Sequence, residues 1–127
     1  MQSLISIISV AAGGAIGAAM RFGVSLVLSP GGRFPLATLS ANLIGCFIAG
    51  ILGTWLMART SVSPQLQLFL ITGVLGGFTT FSAFSLNTLR LAESGQWSWA
   101  LANVLANLIG TLLAVVSGWW LARAFLI

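Results

Sequence analysis

Residues 72–85, with the sequence TGVLGGFTTFSAFS, combine glycines, hydroxyls and aromatic rings within a long apolar segment. Gly76 and Gly77 weaken an α-helix, because glycine loses more backbone entropy on folding than other residues do. The hydroxyls that follow can hydrogen-bond backbone groups released by a break. In hydrocarbon such a break must be buried in protein or line a polar cavity, and broken membrane helices often form ion sites. We therefore predict a break between Gly76 and Thr80 that forms part of an ion pathway.

Phe81 and Phe84 lie three positions apart directly after this break. A helix presents residues at this spacing on one face. The edge of a phenyl ring is positive, so two ring edges turned inward suit a small anion. The alternative is that both rings are ordinary packing residues.

The pentapeptide ANLIG occurs at residues 41–45 and again at 106–110. Each copy places an asparagine amide, Asn42 or Asn107, inside an apolar segment. Small residues and buried amides serve helix packing in membranes, so packing and pore lining are both open for the two asparagines. For the glycines, including Gly13 and Gly17 of the first apolar segment, packing is the better interpretation.

The composition is typical of an integral membrane protein. The 127 residues are 58% hydrophobic and only 5% charged, whereas a soluble domain has about a quarter charged residues. The length predicts a single domain, residues 1–127. The net charge of +4 comes from arginines scattered singly, which does not indicate nucleic-acid binding. Cys46 is the single cysteine, so no disulfide can form within the chain.

Four apolar segments are long enough to cross a bilayer, which needs about 20 residues. They lie at about 4–28, 36–57, 66–91 and 97–125, and residues 29–33 and 92–96 have the composition of loops. We predict an all-α membrane protein with four transmembrane helices, the third broken at the bilayer midplane, and both termini on one side.

The arginines predict how the chain inserts. Arg59 and Arg123 lie on the side of the termini, and Arg33 and Arg90 lie on the opposite side. Orientation follows an excess of basic residues on the cytoplasmic side, and here the numbers are equal. The sequence therefore predicts dual topology, most simply an antiparallel homodimer. Arg21 lies within the first span, where it either snorkels to the headgroups or lines an anion-attracting vestibule.

Several function classes are excluded by what the sequence lacks. With no histidine and one acid, Glu93, general acid–base catalysis has almost no candidate groups, so we predict that the protein is not an enzyme. A proton-coupled carrier needs a carboxylate within a span, and Glu93 falls in a predicted loop. Passive conduction remains. The alternatives are a small proton-coupled cation exporter and a four-helix subunit without a pore.

Three segments resemble the Fluc (CrcB) fluoride channel family in order and spacing. They are residues 13–21 (GGAIGAAMR), 42–47 (NLIGCF) and 72–85. The resemblance implies an antiparallel dual-topology dimer with two pores. It also implies a structural Na⁺ at the dimer centre, held by the backbone carbonyls of Gly76 and Thr79 of both subunits. Carbonyl dipoles suit such a cation.

The resemblance also implies roles for individual side chains. Phe81 and Phe84 match the phenylalanines that line the fluoride path, Asn42 matches the pore asparagine, and Ser82 matches a hydroxyl of a polar track. Asn107 falls at a pore-facing position of the fourth helix. The implied function is passive, selective export of fluoride through a multi-pass protein of the bacterial inner membrane. Its implied partners are fluoride, lipid and a second copy of the chain.

Three positions depart from the family pattern. Ala83 and Val115 stand where relatives often carry threonine, and Asn87 stands where many carry a glutamate. The hydroxyl track is therefore shorter here, with Thr111 or Ser117 as substitutes, and any role of a vestibule carboxylate is lost.

Overall fold

The computed structural model describes residues 1–28 and 31–127, and within these ranges all regular secondary structure is helical. The elements in chain order are α1 (Gln2–Leu28), α2 (Leu36–Met57), α3 (Pro64–Gln67), a π-helical segment (Leu68–Leu75), α4 (Gly76–Phe78), α5 (Phe81–Glu93) and α6 (Trp97–Phe125). Four stretches are long and apolar enough to cross a membrane, the third running from Pro64 to Glu93. The prediction of an all-helical protein with four membrane-spanning segments is confirmed.

The ends of the third span differ from the predicted limits. The Ser63 hydroxyl accepts a hydrogen bond from the Leu66 amide and Pro64 occupies the first turn, so the span starts two residues earlier than predicted. At the other end, Glu93 is the last residue of α5 and not a loop residue. Residues 29 and 30 of the first predicted loop lie outside the described residues.

Helix α1 packs against the π-helical segment and α4. Gly13 and Gly17 are buried at this contact, and a β-carbon on Gly17 would collide with the Val74 carbonyl oxygen. The missing side chain therefore lets the two backbones touch, as small residues do between membrane helices. This agrees with the packing interpretation of both glycines.

Helices α2 and α6 run parallel and form the most extensive contact of the fold. Gly50 of α2 lies against the Val115 carbonyl, and Gly118 of α6 lies against the Phe47 carbonyl. This close approach brings the two copies of ANLIG side by side, with Asn42 opposite Asn107.

The third span leaves helical geometry at Thr79 and Thr80, whose backbones are extended (φ −80°, ψ 158° and φ −156°, ψ 114°). Gly76 keeps helical angles of φ −63° and ψ −35°. Within the predicted 76–80 interval, the departure is therefore made by the threonines and not by the glycine pair. Its depth at the bilayer midplane stays a prediction.

Candidate ion-conducting site

Asn42 occupies the place where the third span loses its helical hydrogen bonds. The Thr80 N–H donates to Asn42 Oδ1 at 2.8 Å, and Asn42 Nδ2 donates to the Thr80 carbonyl oxygen at 3.2 Å. Buried peptide groups need hydrogen-bond partners. The Asn42 side chain supplies one to the N–H of Thr80 and one to its carbonyl oxygen. Because the Thr80 N–H must meet an acceptor, this contact also fixes the orientation of the Asn42 amide, with its oxygen at the Thr80 N–H.

Two more asparagines continue from Asn42 into the protein. Asn42 Nδ2 donates to Asn107 Oδ1 at 2.9 Å, and Asn107 Nδ2 donates to Asn103 Oδ1 at 3.0 Å. All three residues are buried. We call Asn42, Asn107 and Asn103 the amide row. The row connects α2 with α6 at apolar depth.

Phe81 and Phe84 face the amide row across a groove of about 390 Å³. Their ring centroids are 5.2 Å apart and their planes are inclined by 62°, so one ring turns its edge toward the other. Phe81 is 79% exposed, since the groove is open to the protein surface. The groove is lined by Asn42, Cys46, Thr79, Thr80, Phe81, Phe84, Val104, Asn107, Leu108 and Thr111.

The groove thus brings together five of the six residues predicted to line the ion path: Asn42, Phe81, Phe84, Asn107 and Thr111. The Thr111 hydroxyl donates to the Asn107 carbonyl oxygen of its own helix at 2.6 Å. Amide N–H groups and ring edges are the positive parts of this lining. A small anion is the ligand that they suit.

Ser82 does not line the groove. It is exposed, and its hydroxyl lies 3.2 Å from Thr80 Oγ1, which in turn accepts from the Ala83 amide at 3.1 Å. Ser82 therefore contacts the start of α5 from outside the groove. Ser117, the proposed substitute hydroxyl, is also exposed and donates to the Leu113 carbonyl oxygen of its own helix.

Arg21 lies beside the break, on the other side of Thr80. Its Nε donates to the Gly77 carbonyl oxygen at 3.1 Å, and it lines a cavity of about 360 Å³ together with Thr38 and Thr80. Arg21 is half-buried there. The guanidinium thus satisfies one released carbonyl and gives this cavity positive charge.

A further cavity of about 380 Å³ adjoins this one through Thr38. It is lined by Arg33, Arg90 and Asn87, and Asn87 Nδ2 donates to Thr38 Oγ1 at 2.9 Å. The amide at position 87 is uncharged, so it leaves the positive charge of the two arginines undiminished.

The arginines at the opposite end are held differently. The Arg59 guanidinium lies 4.7 Å from the ring centre of Trp55, and that of Arg123 lies 5.1 Å from Trp119. Both pairs are four residues apart and form cation–π contacts at the ends of spans. These side chains have the placement of interfacial anchors, so the two ends of the molecule differ in where their positive charge lies.

The break also releases backbone carbonyls. The Thr80 N–H, the helical partner of the Gly76 carbonyl, is taken by Asn42, and the Ala83 N–H, the partner of the Thr79 carbonyl, is taken by Thr80 Oγ1. Within residues 1–28 and 31–127, no other hydrogen bond to either oxygen is present. Two such carbonyls fit a hard cation, which prefers oxygen ligands.

Two residues that support the groove were not among those predicted to line the ion path. Asn103 is fully enclosed, and its Nδ2 donates to Thr88 Oγ1 at 2.9 Å. The signal that indicates Asn103 is the spacing of polar residues on α6, since Asn103, Asn107 and Thr111 recur every four positions and share a helix face. The sequence around Thr88 gives no comparable signal, because threonine occurs at many positions of a helix.

Comparison with known proteins identifies the family. A family model described as "CrcB-like protein, Camphor Resistance (CrcB)" matches residues 8–119. The chain belongs to the CrcB family. A relative from Chelativorans sp., named "Fluoride-specific ion channel FluC", is 49% identical over 119 residues, covering 90% of this chain and 93% of its own. Relatives with the same name from Rhizobium meliloti and Chlorobium phaeobacteroides are 44% and 41% identical over 120 and 124 residues, covering 93% and 97% of this chain and 96% of each relative.

Membership in the CrcB family confirms the resemblance read from the three motifs. It also confirms that the protein is not an enzyme, because these relatives are ion channels by name. The sequence contains one acidic residue and one cysteine, which agrees with this.

Proposed function

We propose that this protein is a passive, fluoride-selective ion channel that exports cytoplasmic fluoride and so confers fluoride resistance. The observation that carries the proposal is the groove, where two phenylalanine rings face buried asparagine amides at apolar depth. The names of the relatives support fluoride as the ion.

Fluoride is small and strongly hydrated, so a pore must replace its water with other positive groups. The edges of Phe81 and Phe84 are such groups. The amides of Asn42 and Asn107 each donate to two protein oxygens in the structure, so an N–H group that meets the ion would exchange one of these bonds for it. A larger halide has a smaller free-energy cost of dehydration, but it fits less well between the rings and the amides. We propose that these four residues line the fluoride path, with the Thr111 hydroxyl beyond them and the Ser82 hydroxyl near the entrance to α5.

The direction of transport follows from acid–base chemistry. In weakly acidic surroundings HF crosses the bilayer and ionises inside the cell, so fluoride accumulates as an anion. An open anion path then lets F⁻ leave down its gradient without an energy source. Arg21, next to Thr80, serves in this scheme as the vestibule residue that raises the local anion concentration.

We propose that two copies assemble as an antiparallel, dual-topology homodimer with two pores. One support is that the groove is open along one side of the molecule, where Phe81 is 79% exposed. A second copy would complete the wall, and a twofold axis would produce two equivalent pores. The equal numbers of arginines at the two ends support insertion in both directions.

We further propose a structural Na⁺ at the dimer centre. The released carbonyls of Gly76 and Thr79 support this site, since a twofold axis next to them would gather four oxygens around one cation. These oxygens would hold the ion, and its positive charge would tie together two breaks that lack helical hydrogen bonds. Four spans support a location in the inner (plasma) membrane of a bacterium, with lipid around the exposed apolar faces.

The test is fluoride efflux from proteoliposomes, measured with a fluoride electrode and compared with chloride efflux. Fluoride efflux without chloride efflux, and without a pH gradient, is the expected result. A subunit without a pore would release neither ion. A proton-coupled cation exporter would transport only when a pH gradient and a cation are supplied.

Topology is tested separately, by labelling a single cysteine added at the C-terminus of a Cys46→Ala variant. In sealed vesicles of native orientation, we expect about half of the C-termini to react with an impermeant maleimide. Labelling of all or none of them would contradict dual topology.

A further inference from the structure

The hydrogen bonds of the amide row all point in one direction. Asn42 donates to Asn107, Asn107 donates to Asn103, and Asn103 donates to Thr88 Oγ1, at 2.9, 3.0 and 2.9 Å. Each asparagine accepts through its oxygen and donates through its nitrogen. Hydrogen bonds aligned in this way polarise one another, so the orientation of one amide depends on the others.

Both ends of this series of hydrogen bonds are backbone groups of the segment that carries the phenylalanines. At the start, the Thr80 N–H donates to Asn42 Oδ1. At the finish, Thr88 Oγ1 donates to the Phe84 carbonyl oxygen at 2.9 Å. The row therefore begins at the residue before Phe81 and returns to the backbone of Phe84, and it ties the polar and aromatic walls of the groove together.

Asn103 has no contact with the groove. Its exposed surface is 0%, and it is absent from the groove lining, whereas Asn42 and Asn107 both line it. An ion in the groove thus meets the first two amides of the row and never the third. Both ends of the Asn103 amide are occupied inside the protein.

Without the Asn103 side chain, Asn107 Nδ2 keeps the Asn103 backbone carbonyl oxygen as an acceptor but loses the side-chain oxygen, each at 3.0 Å, so its orientation is held by one bond in place of two. A half-turn of that amide would turn its NH₂ group toward Asn42 Nδ2, which is also a donor, and the bond between the two groove amides would be lost. Asn42 cannot follow, because the Thr80 N–H holds its oxygen. The Asn103 side chain, which does not line the groove, therefore helps to orient the two amides that do.

We propose that Asn103 is a positioning residue of the ion path. Together with Thr88, it fixes the orientation of the Asn107 and Asn42 amides through hydrogen bonds. It acts without touching the ion. The flux part of this inference rests on the proposed function, while its geometric part does not.

The experiment compares four variants in proteoliposomes. Asn103→Leu keeps the side-chain size and removes both bonds, Thr88→Val removes the final acceptor, and Thr88→Ser retains it. Thr54→Val is the matched control, since the Thr54 hydroxyl donates to the Gly50 carbonyl within α2 and lines neither the groove nor the arginine cavities. We expect fluoride flux to fall roughly tenfold in Asn103→Leu and less in Thr88→Val, with Thr88→Ser and Thr54→Val within about twofold of the wild type.

The second readout is the side-chain amide NMR spectrum of asparagine-labelled protein without fluoride. We expect both Asn103→Leu and Thr88→Val to shift the Asn42 and Asn107 signals. If Asn103 contributed only core packing, Thr88→Val would leave these signals in place. Unmoved Asn42 and Asn107 signals together with unchanged flux in Thr88→Val would overturn the proposal, even if Asn103→Leu fails to fold. A wild-type protein without fluoride flux would refute the proposed function, and the NMR signals would still decide the role of Asn103.

Discussion

Asn42 bonds to both main-chain groups of Thr80, accepting from its N–H at 2.8 Å and donating to its carbonyl oxygen at 3.2 Å. One amide side chain thereby replaces the helical partners that the extended backbone of Thr80 cannot reach. This helps a helix to be interrupted within an apolar span, because both backbone groups of Thr80 keep a partner. The same amide lines the groove, so the group that stabilises the interruption also belongs to the proposed ion path.

Asn42→Ala is therefore expected to weaken both folding and transport. It leaves two peptide groups of Thr80 and the Asn107 oxygen without partners, and each buried unsatisfied group costs about 1–3 kcal/mol. We expect a lower thermal unfolding temperature in detergent and a fall in fluoride flux, with the dimer still present by size exclusion. Asn42→Ala with wild-type flux would restrict this side chain to packing.

Phe81→Ile is expected to reduce fluoride flux by roughly tenfold or more while the dimer survives, since the aliphatic side chain keeps the apolar volume but has no positive edge. The electrode assay measures the flux and size exclusion measures the dimer. Phe125→Ile, a similar change at an exposed phenylalanine at the end of α6, is the control. Equal flux in the two variants would contradict a role for the ring edge.

Gly50→Ala and Gly53→Ala test the contact between α2 and α6. A β-carbon on Gly50 would meet the Val115 carbonyl and lie 2.8 Å from the Trp119 nitrogen, whereas one on Gly53 would meet nothing within 4 Å. We expect Gly50→Ala to lower the unfolding temperature clearly. Gly53→Ala should leave it unchanged or raise it, because alanine favours a helix by about 1 kcal/mol over glycine. The same change for both variants would argue against the close approach.

Replacement of Na⁺ tests the proposed cation site of the proposed dimer. If the carbonyls of Gly76 and Thr79 hold a cation, exchange of Na⁺ for the bulky N-methylglucamine ion should lower the unfolding temperature and the flux, and added Na⁺ should restore both. The effect follows mass action, so it should saturate with Na⁺ concentration. Identical unfolding curves with and without Na⁺ would exclude the site.

Glu93→Gln separates passive conduction from proton coupling. Glu93 is exposed at the end of α5 and lines neither the groove nor the arginine cavities. We expect fluoride flux within about twofold of the wild type, because a passive path needs no proton carrier. Loss of transport in Glu93→Gln would favour the proton-coupled alternative.

The number and approximate position of the spans could be predicted from the sequence, because hydrocarbon demands long apolar helices whatever their neighbours are. The interruption was placed within residues 76–80 for a similar reason, since glycines and hydroxyls are local signals. Its position on Thr79 and Thr80 depends on Asn42 of another helix, which captures the Thr80 N–H across 38 positions of sequence. Gly76 keeps helical angles, so the glycine pair alone does not locate the interruption within the predicted interval.

The sequence alone determined a membrane protein with polar groups at defined positions along its spans, because apolar length and helical periodicity are properties of each segment by itself. Only the tertiary structure decided which of these groups meet. Asn42 and Asn107 are 65 positions apart, and their contact depends on how far α2 and α6 rotate and slide until Gly50 and Gly118 touch backbone. Asn103 and Ser82 show the same dependence, because the rotation of α6 encloses one and the start of α5 leaves the other outside the groove. Periodicity assigns a residue to a face, whereas packing between helices assigns that face its partner.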